Sequence, residues 1–248
     1  MEHSSSQRFP QLFLGLLFIS AALVIFGWLV SKTISKVKET NQLITVSGTA
    51  SKKIESNYVV WQFSVKGKGV TLQQAYQKVQ TDTTAILNYL SSNQIPKSEI
   101  AESPLTANNI QQFINGQMTG YIVQYQLIQN FEIRSHHVHQ IADLARHIYQ
   151  LINQGIPVVS EPPQFLYTEL APLRVEMLAK ATKDAKSRAA AIARAAGDKI
   201  GVLRGVNVGL FQVTAPGSTE VSAFGQYSTS TIEKQVTVVE SATFQIRK

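Results

Sequence analysis

The sequence predicts an α+β protein, an antiparallel β-sheet system covered by amphipathic helices and preceded by one N-terminal transmembrane helix. Three observations carry that expectation. The run "LFLGLLFISAALVIFGWLV", Leu12 to Val30, is nineteen residues without a charge. Beyond it, segments whose apolar residues alternate with period two are interleaved with segments of helical spacing. The dipeptide Asn115-Gly116, which tolerates the positive φ of a tight turn, divides two such alternating segments into a hairpin.

The apolar run comes first in order. At 1.5 Å per residue it reaches about 28 Å, close to the thickness of a bilayer's hydrocarbon core. No Ala-x-Ala pattern follows it, so it reads as an uncleaved anchor, with Trp28 suited to the interface. The expected organisation is a polar tail over 1–10, an anchor over 11–30 (membrane contact through 12–30), a linker over 31–41 and a folded domain over 42–248. Only Arg8 precedes the anchor, while Lys32, Lys36 and Lys38 follow it, a count that by itself keeps the C-terminal side in the cytoplasm.

Within the domain, "LITVSGTASKKI" and "NYVVWQFSVKG" read as a strand pair, with Val59, Trp61, Phe63 and Val65 on the buried face. Thr71 and Gln74 form a capping box that opens a helix running to about Ser92. The hairpin follows; its second arm sets Tyr121, Val123, Tyr125, Leu127, Phe131 and Ile133 against Gln124, Gln126, Asn130, Glu132 and Arg134. Next come a helix in "VHQIADLARHIYQLINQG", a single strand in "PPQFLYTEL", and a helix from Leu173 to Ala196. Two alternating strands, "KIGVLRGVNVGLFQV" and "EKQVTVVESATFQIRK", close the chain. The long Gly/Ser/Thr-rich loop between them carries Phe224 and Tyr227, aromatics of the kind that dock onto a neighbouring subunit, with an unstructured loop as the alternative reading.

The chain has no cysteine, which removes disulfides and thiolate chemistry. Its formal charge is +7, but four of the 23 Lys and Arg and two of the 16 Asp and Glu lie before Asn41, leaving 19 against 14. The nearest basic cluster is Lys180, Lys183, Lys186, Arg188 and Arg194. Glu176, Lys180, Asp184 and Arg188 alternate in sign at i,i+4 steps, the pattern of a solvated helix edge, so no nucleic-acid partner is expected. On the same helix Val175, Leu178, Thr182, Ala185, Ala189, Ile192 and Ala196 read as a narrow face of mostly small side chains that permits close packing on a sheet.

This alanine-rich stretch, "ATKDAKSRAAAIARAAGDKIG", resembles the signature helix of the SIMPL (DUF541) family. These are bacterial envelope proteins that include the oxidative-stress-defence and 26 kDa periplasmic immunogen proteins. The matching elements are Asp184-Ala185, Arg188-Ala189, Ala193, Gly197 and Ile200-Gly201. "ITVSGTASKKI" is similar to the family's opening strand and "GYIVQYQLIQNFEIR" to its Gly-Tyr strand; Ser56-Asn57 and Gln94-Ile95 depart from its turn residues. The resemblance implies a domain in the periplasm behind a single inner-membrane anchor, no known catalytic centre, a role in oxidative-stress tolerance and, in some members, assembly into large rings. It therefore outweighs the lysine count and implies a homo-oligomer that is not an enzyme and has no cofactor.

Two rival readings come from the residues. His139, Asp143 and His147 stand at i, i+4 and i+8 with His136 and His137 nearby, a set chemically suited to Zn or Ni, which would make the chain a metal- or small-ligand-binding module. The apolar residues Val138, Ile141, Ala145, Ile148 and Ile152 point that stripe to water, and the i+8 residue lies about 12 Å along the axis from the first. A solvated helix face is the expectation. The second rival is an enzyme with an unrecognised site: no G-x-S-x-G, P-loop, H-E-x-x-H or Rossmann pattern is present. Among the acids only Glu240 shares an apolar strand face, between Val238 and Ala242, and a strand-edge or bulge position turning it outward is expected.

Overall fold

In the computed structural model, which describes residues 8–40, 42–218 and 225–248, the chain is α+β with antiparallel sheets. The order is α1 (Arg8–Thr40), β1 (Leu43–Glu55), β2 (Tyr58–Gly69), α2 (Leu72–Ser92), β3 (Ile100–Glu102), β4 (Thr106–Ile114), β5 (Gln117–Ser135), α3 (Val138–His147), β6 (Val158–Ser160), β7 (Gln164–Leu166), α4 (Leu170–Ala195), β8 (Lys199–Thr214) and β9 (Glu233–Arg247). Helix α1 contains Leu14–Ser31, exposed throughout and long and apolar enough to cross a membrane. It continues unbroken to Thr40, through the segment expected as a linker.

The strands form a three-stranded sheet of order β1-β9-β8 and a six-stranded sheet of order β3-β5-β2-β6, with β4 paired to β5 and β7 to β2. The chain divides into two compact units, one of Met1–Ala50, Glu176–Leu210 and Val238–Lys248, the other of Ser51–Val175 and Phe211–Thr237.

The core of the second unit follows from the alternation of β2 and β5. Their antiparallel register pairs Trp61 with Ile133 and Phe63 with Phe131, so both apolar faces lie on one side. Phe63 stacks on Phe131 with centroids 5.0 Å apart, and Trp61 donates its indole N–H to Ser160 Oγ at 2.8 Å. Ile86 and Leu90 of α2, Ile141 of α3, and Ile148 and Leu151 of the 3₁₀ turn after α3 cover these rings. The capping box is present as expected: Gln74 N–H donates to Thr71 Oγ1 at 3.2 Å while the Gln74 side chain accepts from Thr71 N–H. Gly67 lets α2 lie directly on β2, since a Cβ there would sit 2.6 Å from the Ala75 carbonyl oxygen.

The first unit explains the alanine-rich helix. Met177, Ala181, Ala185, Ala189 and Ala193 form its buried face, packed with Ala242 and Phe244 of β9 around Ala185 and Ala189. This face is rotated from the expected stripe, whose Val175 and Ile192 are exposed. The reason is steric: α4 comes so close to β1 that a Cβ at Gly48 would collide with the Ala181 carbonyl and reach Ala185 Cβ at 2.7 Å. Only a line of alanines fits against that strand.

Candidate functional site

The histidine stripe lies on α3 and its three members have separate partners. His139 Nε2 meets Glu55 Oε1 at 2.5 Å, Asp143 pairs with Arg146, and His147 Nδ1 donates to the Asp143 carbonyl at 2.8 Å. His136 donates from Nδ1 to the Asn57 carbonyl at 2.8 Å, with its ring edge-on to Tyr58. Among the described residues no group of three or more His, Asp or Glu is placed to hold a metal ion. The imidazoles of His136, His139 and His147 make these hydrogen bonds locally, the latter two on exposed positions of α3.

Phe224 lies outside the described residues. Tyr227 sits in a segment that its own unit holds at nearly every step. Val213 N–H donates to the Gln226 carbonyl at 2.7 Å, and Tyr167 N–H donates to the Tyr227 hydroxyl at 2.7 Å. Phe165 N–H donates to the Thr229 carbonyl at 2.8 Å, and Ser56 donates from both N–H and Oγ to the Ile232 carbonyl. Tyr227 therefore has an intramolecular role besides whatever its partly exposed ring contributes.

Lys234 completes this clasp and is the residue sequence reading missed. Its side chain is fully buried, and Nζ donates to the Ser228 and Thr231 carbonyls at 2.6 and 2.7 Å, with the Tyr227 ring 5.9 Å away. Burial pushes the ammonium's pKa down to about 8. The signal was present in the alternation: Lys234, Val236, Val238, Glu240, Ala242 and Phe244 share one face of β9 and all are buried. Glu240 is thus a correction, since its side chain is 2% exposed rather than turned outward, and its Oε1 makes no hydrogen bond. The burial alternation of β9 runs unbroken through Glu240, so the strand's period carries it inward.

Beside the clasp, Ala142, Ala145, Tyr149, Pro163, Phe165 and Ile232 line a mostly apolar groove of about 590 Å³. Two further surfaces leave apolar residues uncovered. On β8, at one edge of its sheet, Val202, Leu203, Val206, Val208 and Leu210 are exposed. On the β4–β5 hairpin, pairing with β2 ends at Tyr125, and the ribbon beyond it carries exposed Phe113, Ile114, Met118 and Tyr121 around the Asn115-Gly116 turn.

The opposite edge of the β8 sheet is built differently. Thr49 N–H on β1 donates to Asp184 Oδ2 of α4 at 2.8 Å, and Arg188 binds the same carboxylate at 2.8 Å while reaching Thr49 Oγ1 at 3.2 Å. The Thr49 backbone hydrogen bond, with help from Arg188, holds the Asp184 carboxyl below its ordinary value. The charge ladder expected along α4 is present, with Lys180 on Glu176 at 2.7 Å, but Asp184 also serves the sheet.

These features define an antiparallel α+β domain behind a helix apolar enough to span a bilayer. The family model described as SIMPL, "Protein of unknown function (DUF541)", matches residues 44–244, and the chain belongs to that family. No curated protein matched the sequence.

Proposed function

We propose that the chain is a non-enzymatic, membrane-anchored protein of the bacterial cell envelope, with its domain in the periplasm, that self-assembles and supports oxidative-stress tolerance. The observation that carries the self-assembly is the β8 edge. A sixteen-residue edge strand with exposed Val202, Val206, Val208 and Leu210 offers a template for pairing with another chain, and natural sheets normally guard such edges. The anchor rests on Leu14–Ser31, and the periplasmic side and stress role rest on the family resemblance.

Light scattering on the full-length protein in detergent, across a dilution series, tests the assembly. A mass at least double that of one detergent-bound chain is expected, and a monomer at every concentration removes self-assembly from the proposal. A reporter fused after Lys248 and active only when exported tests the side of the membrane; activity of a cytoplasmic reporter alone would sink the periplasmic placement.

A further inference from the structure

The β4–β5 ribbon has no partner among the described residues beyond Tyr125. Its last packed residues, Leu127 with half-buried Tyr125 and Leu105, sit against Ala75 and Val79 of α2. From Gln117 to Gln124 the second arm is paired only with β4, and at about 3.4 Å per residue it projects roughly 27 Å. A two-stranded ribbon of this kind is marginal in water by itself. Its exposed side chains are nonetheless the wrong ones for water: Phe113, Ile114, Met118 and Tyr121 are 61, 51, 67 and 73% exposed, all within five residues of the turn.

The sequence around them is equally unusual. From Ser103 to Phe131, twenty-nine residues, there is no Asp, Glu, Lys or Arg. A solvated arm gains solubility from charge, whereas charge is costly only where the arm leaves water. The remaining polar groups are amides and hydroxyls, which tolerate the headgroup region of a bilayer, and Tyr and Phe are side chains that favour it.

We propose that the tip of this hairpin, Phe113 to Tyr121, inserts into the interface of the lipid bilayer that holds α1. The inference rests on the anchoring reading of Leu14–Ser31. Chain length supplies the proximity. Helix α1 continues nine residues past Ser31, about 14 Å, and β1 begins three residues later. A chain anchored through so short a connection keeps the tip at high effective concentration near lipid. The most exposed apolar side chains of the ribbon, Phe113, Met118 and Tyr121, lie nearest its end, beyond the less exposed Ile122 and Val123, which favours a surface that the tip enters over a second copy paired along the strands.

The absence of cysteine provides the test. In full-length protein carrying Met118→Cys, a nitroxide label reports collisions with oxygen, which concentrates in lipid, and with a water-soluble nickel complex. The chain is placed in nanodiscs of zwitterionic lipid, with a label at Gln150→Cys as the water-exposed reference. The expected result is a several-fold higher oxygen-to-nickel ratio at 118 than at 150. A nickel-accessible label at 118 in disc-bound protein overturns the insertion while leaving the anchor intact. Low accessibility to both reagents, with disulfide-linked dimers of unlabelled Met118→Cys, overturns it in favour of a second copy. Failure of the chain to enter discs overturns the anchor and the insertion together.

Discussion

At its β1 edge the three-stranded sheet gives the Thr49 N–H to α4, whereas at its β8 edge the same sheet leaves Val202, Val206 and Val208 exposed. The β1 edge uses three devices at once. Gly48 removes a side chain so that the alanine line of α4 can approach, Asp184 takes the Thr49 N–H that a foreign strand would seek, and Arg188 braces the carboxylate. The β8 edge carries no charge from Gly205 to Thr214 to deter pairing, and among the described residues its backbone is bonded at Val213, to Gln226 and Ser228. The contrast favours edge pairing at β8 over β1, where the Thr49 N–H is already taken.

The largest expected effect comes from breaking the β1 edge. Gly48→Val places a branched side chain where even a Cβ collides with Ala181 and Ala185. Overpacking of this kind typically costs about 1–3 kcal/mol, and a collision with backbone places this one at the upper end. Denaturant unfolding of the full-length protein in detergent should show the midpoint falling sharply. An unchanged midpoint would mean that α4 does not press on β1 as described.

A smaller effect separates charge from hydrogen bonding at the same edge. Asp184 titrates below its ordinary value in the folded protein, so its contribution is fully present above the unfolded carboxyl's pKa and is lost as pH falls through the lower, folded value. In Asp184→Asn the acid-side decline in stability between those two values should become shallower, with little change at neutral pH beyond the weaker acceptor. Thermal midpoints of both proteins from neutral pH down into the acid range read this directly. Identical slopes would mean that the carboxylate's charge does no work at Thr49.

These contrasts also mark what the sequence could and could not disclose. The period-two alternation of Val59, Trp61, Phe63 and Val65 identified a buried face because tryptophan and phenylalanine have nowhere else to go, and the Thr71–Gln74 box and the Asn115-Gly116 turn are local in origin. The buried face of α4 was misjudged because alanines lie all around that helix. Which line of them packs depends on Gly48, more than 120 residues away. Lys234 and Glu240 were hidden by the expectation that charge faces water; the carbonyls that receive Lys234 come from a loop whose path the sequence does not announce. Asp184 was legible as one rung of an i,i+4 ladder, but its bond to Thr49 is tertiary.

The smallest effect on stability sharpens the comparison most. Val208 is 54% exposed on β8, so Val208→Lys removes little packing within the chain, and its cost to folding should stay within about 0.5 kcal/mol, the usual range for surface substitutions. Its effect on association should be large, because a lysine on an edge strand sets a charge where a paired neighbour would have to bury it. In detergent, light scattering should then show a lower mass than wild type at equal concentration, with an unchanged unfolding midpoint. If the wild type assembles and Val208→Lys assembles equally well, the β8 edge is not the contact, and the guard at β1 serves folding alone.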